Sequence, residues 1–198
     1  MPRGVAADFQ VRLAQTEADV QAAQRLRYDV FVRELGGGGP MVDHAAGLER
    51  DRFDPYFDHL LLTDRRSGKL AGVYRVMRSD MAARAGGFYS AAEYDLAPLV
   101  QSGRKLLELG RSCLDPAYRG GTAMHHLWAA LAGYVVEYEI EVLFGVASFH
   151  GTDTAALAEP LSLLHHRHLA PPELRVRARD YAPMDLIPEP ELDRRKAM

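Results

Sequence analysis

Residues 106–114 read Leu-Leu-Glu-Leu-Gly-Arg-Ser-Cys-Leu, an apolar run that carries two charges, Glu108 and Arg111. A carboxylate is rarely placed in such a run without a partner, because burial disfavours its charged form. A carboxylate so placed is suited to accept a proton near neutral pH, as a general base. The other reading of Glu108 is a structural ion pair, with Arg75 on a neighbouring strand as its partner. Strict alternation puts Leu106, Glu108 and Gly110 on one face and Leu107, Leu109 and Arg111 on the other. Just downstream, Tyr118-Arg-Gly-Gly-Thr122 is a glycine-rich turn. Gly120 and Gly121 would let backbone approach a ligand closely, Thr122 would open a helix, and Arg119 adds a cation for a phosphate. A tight strand-to-helix turn explains the same glycines without a ligand.

Other reactive side chains carry less. Cys113 could be an acyl-enzyme nucleophile, but no base partner is evident and a lone cysteine in an apolar strand is ordinarily core. His165, His166 and His168 lack an evident fourth ligand for zinc, so no metal is expected. Asp43, His44, Glu49, Asp51, Asp54 and Asp58 all fall in residues 41–58. A connection of that length is uncommon in a compact domain unless it is functional or mobile.

The elements that must position these groups follow from periodicity. Phe9, Val11 and Leu13 alternate as a first strand. Thr16 caps a helix with acids in its first turn, and Val20, Ala23, Leu26, Val30 and Phe31 form its apolar face as far as about Leu35, before four glycines. Residues 59–63 and 70–77 form a hairpin around Arg65-Arg-Ser-Gly-Lys69. Residues 80–103 mix short helices and turns. Residues 106–114, 122–140 and 142–148 then give strand, helix and strand, with Leu127, Trp128, Leu131 and Tyr138 on the packing stripe. Thr152 or Asp153 starts a further helix through Leu169, and residues 174–178 alternate like a late strand. The expected fold is α/β (α+β), a mixed sheet with helices on both faces. Residues 1–198 form one domain, with 1–8 and 189–198 as polar tails.

The bulk numbers fit that plan. The 198 residues are 47% hydrophobic and 26% charged, with a net charge of −3, ordinary for a soluble globular chain. Nucleic acid is not an expected partner, because no strongly basic balance is present. One cysteine excludes an intrachain disulfide and suits a reducing cytoplasm. No segment approaches the roughly 18 apolar residues of a membrane span. Residues 1–8 lack an apolar signal core, so export is not expected.

Several separated blocks carry a family resemblance. They are Leu26-Arg-Tyr-Asp-Val-Phe31, Phe53-Asp-Pro-Tyr-Phe-Asp-His59, Ala71-Gly-Val-Tyr-Arg-Val76, Leu106 to Cys113, Tyr118-Arg-Gly-Gly121 with Leu127-Trp128, Phe144-Gly-Val-Ala-Ser-Phe149 with Gly151-Thr-Asp153, and Leu161 to Pro172. In this order they resemble the ornithine–acyl carrier protein N-acyltransferases of the GNAT superfamily. Arg27 with Phe31, Asp54 with Asp58, Gly72 with Arg75, and Glu108 with Arg111 are also similar to the acyl-homoserine-lactone synthases. The glycine run after Leu35 stands where those synthases tend to carry a tryptophan. The resemblance implies a mostly antiparallel GNAT-like sheet. It also implies transfer of a 3-hydroxyacyl chain from acyl carrier protein to the α-amino group of L-ornithine, giving lyso-ornithine lipid, with no bound cofactor. The usual GNAT cofactor loop reads Arg or Gln, two residues, Gly, one residue, Gly or Ala. From Arg119 this chain has Thr122 and Met124 at the last two places, which favours the single phosphate of a pantetheine arm.

Within that reaction, Glu108 is the candidate base for the attacking amine. A backbone N–H at a strand distortion near Ser112 or Cys113 is the candidate oxyanion donor. Charge matching assigns Asp54 and Asp58 to the ornithine side-chain ammonium and Arg75 or Arg111 to its carboxylate, with Arg27 and Phe31 lining the site. A solvated acidic loop is the other reading of the aspartates. Arg104, Lys105, Arg119 and Arg167 are candidates for docking an acidic carrier protein. The amphiphilic product suggests cytoplasmic work near the inner membrane face. Two other activities keep to the same fold, a signal-lactone synthase and a coenzyme A enzyme. A carrier-protein or lipid-binding module without activity is the reading outside enzymes.

Overall fold

The structure is a computed structural model describing residues 8–149 and 151–193. The tails at 1–7 and 194–198 lie outside the described residues. Inside the expected C-terminal tail, Glu189–Glu191 forms a 3₁₀ turn, and the Asp193 N–H is bound by Glu159 Oε2 at 3.0 Å.

The alternating start of the chain forms β1 (Phe9–Leu13). Thr16 and Asp19 then close a capping box, each side chain accepting the other's backbone N–H at 3.2 Å, and α1 (Glu17–Arg27) begins. Helical backbone continues through Tyr28–Glu34 with wider, π-helical turns. The Gly37 N–H reaches Phe31 O at 2.8 Å. A Cβ on Gly37 would stand 2.5 Å from that oxygen, so the glycine run permits the stop. Residues 41–58 hold the antiparallel pair β2 (Val42–Asp43) and β3 (Leu48–Glu49), then a 3₁₀ turn at Asp54–Tyr56. The hairpin β4 (Asp58–Asp64) and β5 (Lys69–Arg78) follows, then α2 (Ser79–Ala85). Next come β6 (Tyr94–Asp95), α3 (Ala97–Val100), β7 (Leu106–Leu114), α4 (Ala123–Glu137), β8 (Val142–Gly145), α5 (Ala158–Arg167) and β9 (Arg177–Ala178).

The described residues fall into two compact units. The first runs up to Tyr89 and resumes over Lys105–Gly145. It contains a five-stranded sheet in the order β1-β4-β5-β7-β8. Every pairing is antiparallel except β7–β8. That last pair is joined through α4, the connection a parallel pair requires. Helices cover both faces, as expected. On one face Leu60, Leu62, Tyr74, Val76 and Leu107 pack with Ala123, Leu127, Leu131 and Tyr134 of α4. On the other, Leu61, Val73 and Cys113 pack with Ala23, Leu26 and Val30 from α1 and its extension. Trp128 departs from the expected stripe: it is 49% exposed and meets Tyr74 edge-on. One residue beyond Leu127 is about 100° around a helix, so it leaves the packed face.

The second unit comprises Ser90–Arg104 and the chain from Val146. Here β6 pairs with β9 antiparallel. Its helix α5 starts at Ala158 rather than near Thr152, because Pro160 fits only a first turn. Asp153 instead accepts the N–H groups of Ala155 and Ala156. The Ser162 hydroxyl ties α5 to the C-terminal stretch, donating to Met184 O and accepting from the Leu186 and Ile187 N–H groups. His166 Nε2 meets Ile187 O at 2.9 Å. Leu174 belongs to a 3₁₀ turn at Pro172–Leu174, so the late strand shrinks to Arg177–Ala178.

Candidate active site

The site is built where β7 stops being regular. Arg75 pairs with Gly110 and Val73 with Cys113, so Arg111 and Ser112 together stand opposite Tyr74. This is a β-bulge with one extra residue on β7. Arg111 takes a φ of +54° to make it, a rare conformation for a side chain other than Gly, Asn or Asp. The bulge corrects the expected alternation. Beyond it the faces are re-phased, and Arg111 turns to the α1 side, where Glu108 also lies. The partner strand β8 is in register only from Leu106↔Val142 to Leu109↔Gly145. It ends at Gly145, short of the expected Ser148. Residues 110–114 therefore have β5 as their one sheet partner among the described residues. A Cβ on Gly145 would stand 2.4 Å from Leu109 O, so that residue must be glycine for the strands to close up before they part.

Glu108 is buried, and its Oε2 accepts the Tyr89 N–H at 2.8 Å. The expected partner, Arg75, is engaged elsewhere. Its NH1 donates to Asp54 Oδ1 and its NH2 to Asp51 Oδ2, both at 2.7 Å. Arg75 Nε is buried without a hydrogen-bond partner among the described residues. It lies 3.7 Å from where a Cβ on Gly110 would be, an ordinary packing distance.

Around it is a buried network of alternating charge. Arg27 NH1 and NH2 hold the two Asp54 oxygens at 2.7 and 2.9 Å. Arg27 Nε donates to Glu49 Oε2 at 2.5 Å. Glu49 Oε1 accepts from Arg111 Nε at 3.0 Å. Arg111 NH2 donates to the Tyr89 hydroxyl at 3.1 Å, and the Arg111 guanidinium lies 5.8 Å from the Phe31 ring centre. Gln24 Nε2 adds a bond to Asp54 at 2.9 Å. Burial pushes the Asp54 carboxyl up, but the hydrogen bonds and charge of Arg27, with the charges of Arg75 and His59, hold it well below the usual carboxylate range. His59, whose Nε2 meets Asp54 O at 3.1 Å, is pushed down chiefly by burial.

Several expectations change here. Asp54 and Asp58 do not form one ammonium site. Asp54 is enclosed by cations on the α1 face. Asp58 belongs to the α4 face, where its Oδ2 accepts from Arg78 at 2.7 Å and the Tyr134 hydroxyl at 2.5 Å. The reason is local: a 3₁₀ turn reverses the chain between them. Cys113 packs in the core, and burial pushes its thiol up to about 12, which leaves almost no thiolate to act as a nucleophile. Arg119 grips Glu34 with two nitrogens at 2.5 and 2.7 Å and also donates to Leu114 O. Gly120 carries the positive φ of the turn, +74°, and Thr122 stands at the N-terminus of α4 without a side-chain cap bond. The Ser112 hydroxyl points to Met124 Sδ at 3.9 Å. Lys105 and Arg167 pair with Glu139 and Glu189.

Glu49, Asp51 and Tyr89 were not singled out as site residues. Glu49 and Asp51 were visible only as members of an acidic stretch. Tyr89 follows Gly86-Gly87-Phe88 with no spacing that marks it, and only the fold brings it to Glu108.

β7 and β8 part beside a bulge, and a glycine turn and α4 follow. Residues 26–129 match the family described as acetyltransferase (GNAT) domain. The CoA-dependent acyl-homoserine lactone synthase BjaI, solved with SAM and isopentyl-CoA, shares the fold at a TM-score of 0.51 and 20% identity, over 71% of this chain and 66% of that one. Fold and match define a GNAT acyltransferase. A curated L-ornithine N(alpha)-acyltransferase of Rhodobacter capsulatus is 57% identical over 96% of this chain and 75% of its own length. The enzyme of that name from Brucella abortus is 41% identical over 96% and 71%. The chain belongs to the L-ornithine N(alpha)-acyltransferases.

Proposed function

We propose that the chain moves a 3-hydroxyacyl group from acyl carrier protein to the α-amino group of L-ornithine, giving lyso-ornithine lipid. The observation that carries this reading is the bulge at Arg111–Ser112, which begins three residues after the buried Glu108 and lies where β7 no longer pairs with β8. The amide-bearing arm of a pantetheine thioester suits a strand edge without a sheet partner, because its amides can pair with backbone N–H and C=O groups. Its phosphate would lie towards Gly120, Gly121 and Thr122, with Arg119 exchanging Glu34 for it. Exposed ion pairs of this kind are worth about 0–1 kcal/mol, so the exchange costs little.

In the reaction the neutral α-amine attacks the thioester carbon, the C–N bond forms and the C–S bond breaks. Glu108 takes the amine proton, directly or through water, and returns it to the departing sulfur. A backbone N–H of the bulge near Ser112 stabilises the oxyanion. The acceptor carboxylate is held by Arg111, whose side chain is 32% exposed, against 1% for Arg27 and Arg75. Arg27, Phe31 and the Asp54 hub hold Arg111 and Arg75 in place rather than touching substrate. Residues 1–198 act as one acyltransferase domain. No described helix is long and apolar enough to cross a membrane. The amphiphilic product is the reason to place the work at the cytoplasmic side of the inner membrane, with peripheral contact.

The test supplies 3-hydroxyacyl-acyl carrier protein or 3-hydroxyacyl-CoA as donor, with L-ornithine or S-adenosylmethionine as acceptor, and reads products by mass spectrometry. Acylornithine from the carrier-bound donor is expected. Acylornithine from the CoA donor alone would overturn the carrier assignment, and an acyl-lactone product would overturn the acceptor.

A further inference from the structure

Tyr89 touches both charged groups of the site, by different atoms. Its backbone N–H donates to Glu108 Oε2 at 2.8 Å. Its hydroxyl accepts from Arg111 NH2 at 3.1 Å. Its ring lies 5.3 Å from the Arg111 guanidinium carbon and 5.4 Å from that of Arg75, and packs edge-on against Phe53 at 5.6 Å. Such stacking on a partly desolvated guanidinium is attractive and fixes its plane. Glu49 holds the other side of Arg111 through Oε1 and is itself anchored by the buried Arg27 through Oε2. Arg111 thus hangs between Glu49 and Tyr89, and Tyr89 is also bonded to the carboxylate on the same strand.

We infer that Tyr89 is a specificity-determining positioning residue. It sets the spacing between the Glu108 carboxylate and the Arg111 guanidinium, so that the site selects acceptors bearing an amine and a carboxylate on one carbon. This rests on the proposed function, in which Glu108 serves the α-amine and Arg111 the carboxylate. A diamine without the carboxylate makes no use of Arg111, so it gains nothing from the hydroxyl of Tyr89. An α-amino acid loses affinity when that hydroxyl is removed, because Arg111 is then hydrogen-bonded on the Glu49 side and only stacked on the other. One hydrogen bond to a charged group corresponds to about a tenfold change in affinity. The base is affected less, since its bond comes from the Tyr89 backbone, which a side-chain substitution keeps.

The experiment compares the unaltered full chain with Tyr89→Phe, using L-ornithine and its decarboxylated analogue 1,4-diaminobutane. Calorimetry measures binding of each, and steady-state kinetics with the acyl-carrier donor gives kcat and KM. The expected result is a KM and Kd for ornithine raised about tenfold and a preference over the diamine reduced about tenfold. The acid limb of the kcat–pH profile should stay in place. A variant whose ornithine-to-diamine preference is unchanged, or in which both acceptors weaken alike, overturns the role of Tyr89 alone. Unaltered protein that binds ornithine no better than the diamine overturns the assignment of Arg111 in the proposed function, and the Tyr89 inference with it.

Discussion

Glu108 and Asp54 are both buried carboxylates, yet their surroundings fit them to different tasks. Asp54 receives bonds from Arg27, Arg75 and Gln24, so its charge is neutralised within the fold. Removing that charge would leave two buried guanidinium groups with one carboxylate partner each, Glu49 for Arg27 and Asp51 for Arg75. Asp54→Asn should lower stability by about 3–5 kcal/mol, the usual cost of breaking a buried pair on one side, and urea denaturation reads it. Glu108 stands instead beside the bulge, where it accepts the Tyr89 backbone N–H. Glu108→Gln keeps that acceptor and the side-chain shape but cannot take a proton. Turnover should fall about 10²–10⁴-fold, the usual contribution of a general base, with the urea midpoint little changed. Steady-state rates on the folded variant check this. These two residues also show where reading the sequence works. A carboxylate among leucines stood out at Glu108, whereas Asp54 and Asp58 looked equivalent because a linear sequence cannot show that a turn sends them to opposite faces.

At the scale of elements, the part of the sheet that matters is the place where β7 and β8 separate. Pairing runs through Leu109↔Gly145 and stops. Gly145→Ala would press a methyl group to 2.4 Å from Leu109 O and force the strands apart one pair early. A loss of about 1–3 kcal/mol is expected, as for overpacking in a rigid place. Activity should fall along with it, because the backbone of residues 110–114 is displaced. Thermal unfolding and rate measurements on this variant would show both effects. Strand periods, the Thr16 cap, the hairpin and the strand–turn–helix–strand order were legible, since each is written in local spacing. The bulge was not. It is one inserted residue, detectable only against the register of β5, and it put Arg111 on the face opposite to the one that alternation gave. The start of α5 followed the same logic, set by where Pro160 can be tolerated rather than by the first available cap.

For the whole molecule, the charge network makes a prediction about acid. His59 is held neutral by burial, with its folded pKa below the unfolded value of about 6.5. As pH falls below about 6.5 the unfolded chain takes up a proton that the folded one resists, so stability declines. Asp54, depressed by its cations, repeats this below about pH 3.9. Each group contributes at most about 1.4 kcal/mol per pH unit over its window. Urea midpoints at pH 7.5 and 5.5 should therefore differ, and His59→Gln should narrow the difference. A midpoint constant over that range would argue that His59 titrates as it would in water. The family of the whole chain was legible from separated blocks because their order survives sequence drift. The buried network was not, because Glu49, Asp51 and Tyr89 acquire partners 22, 24 and 22 residues away only on folding. The central claim is that Glu108 drives acyl transfer to the α-amine of ornithine. Its most direct measurement is a mass-spectrometric time course with 3-hydroxyacyl-acyl carrier protein and L-ornithine, run on unaltered protein and Glu108→Gln. Nα-acylornithine should accumulate with the unaltered protein and nearly vanish with the variant. Equal accumulation in both would contradict the account.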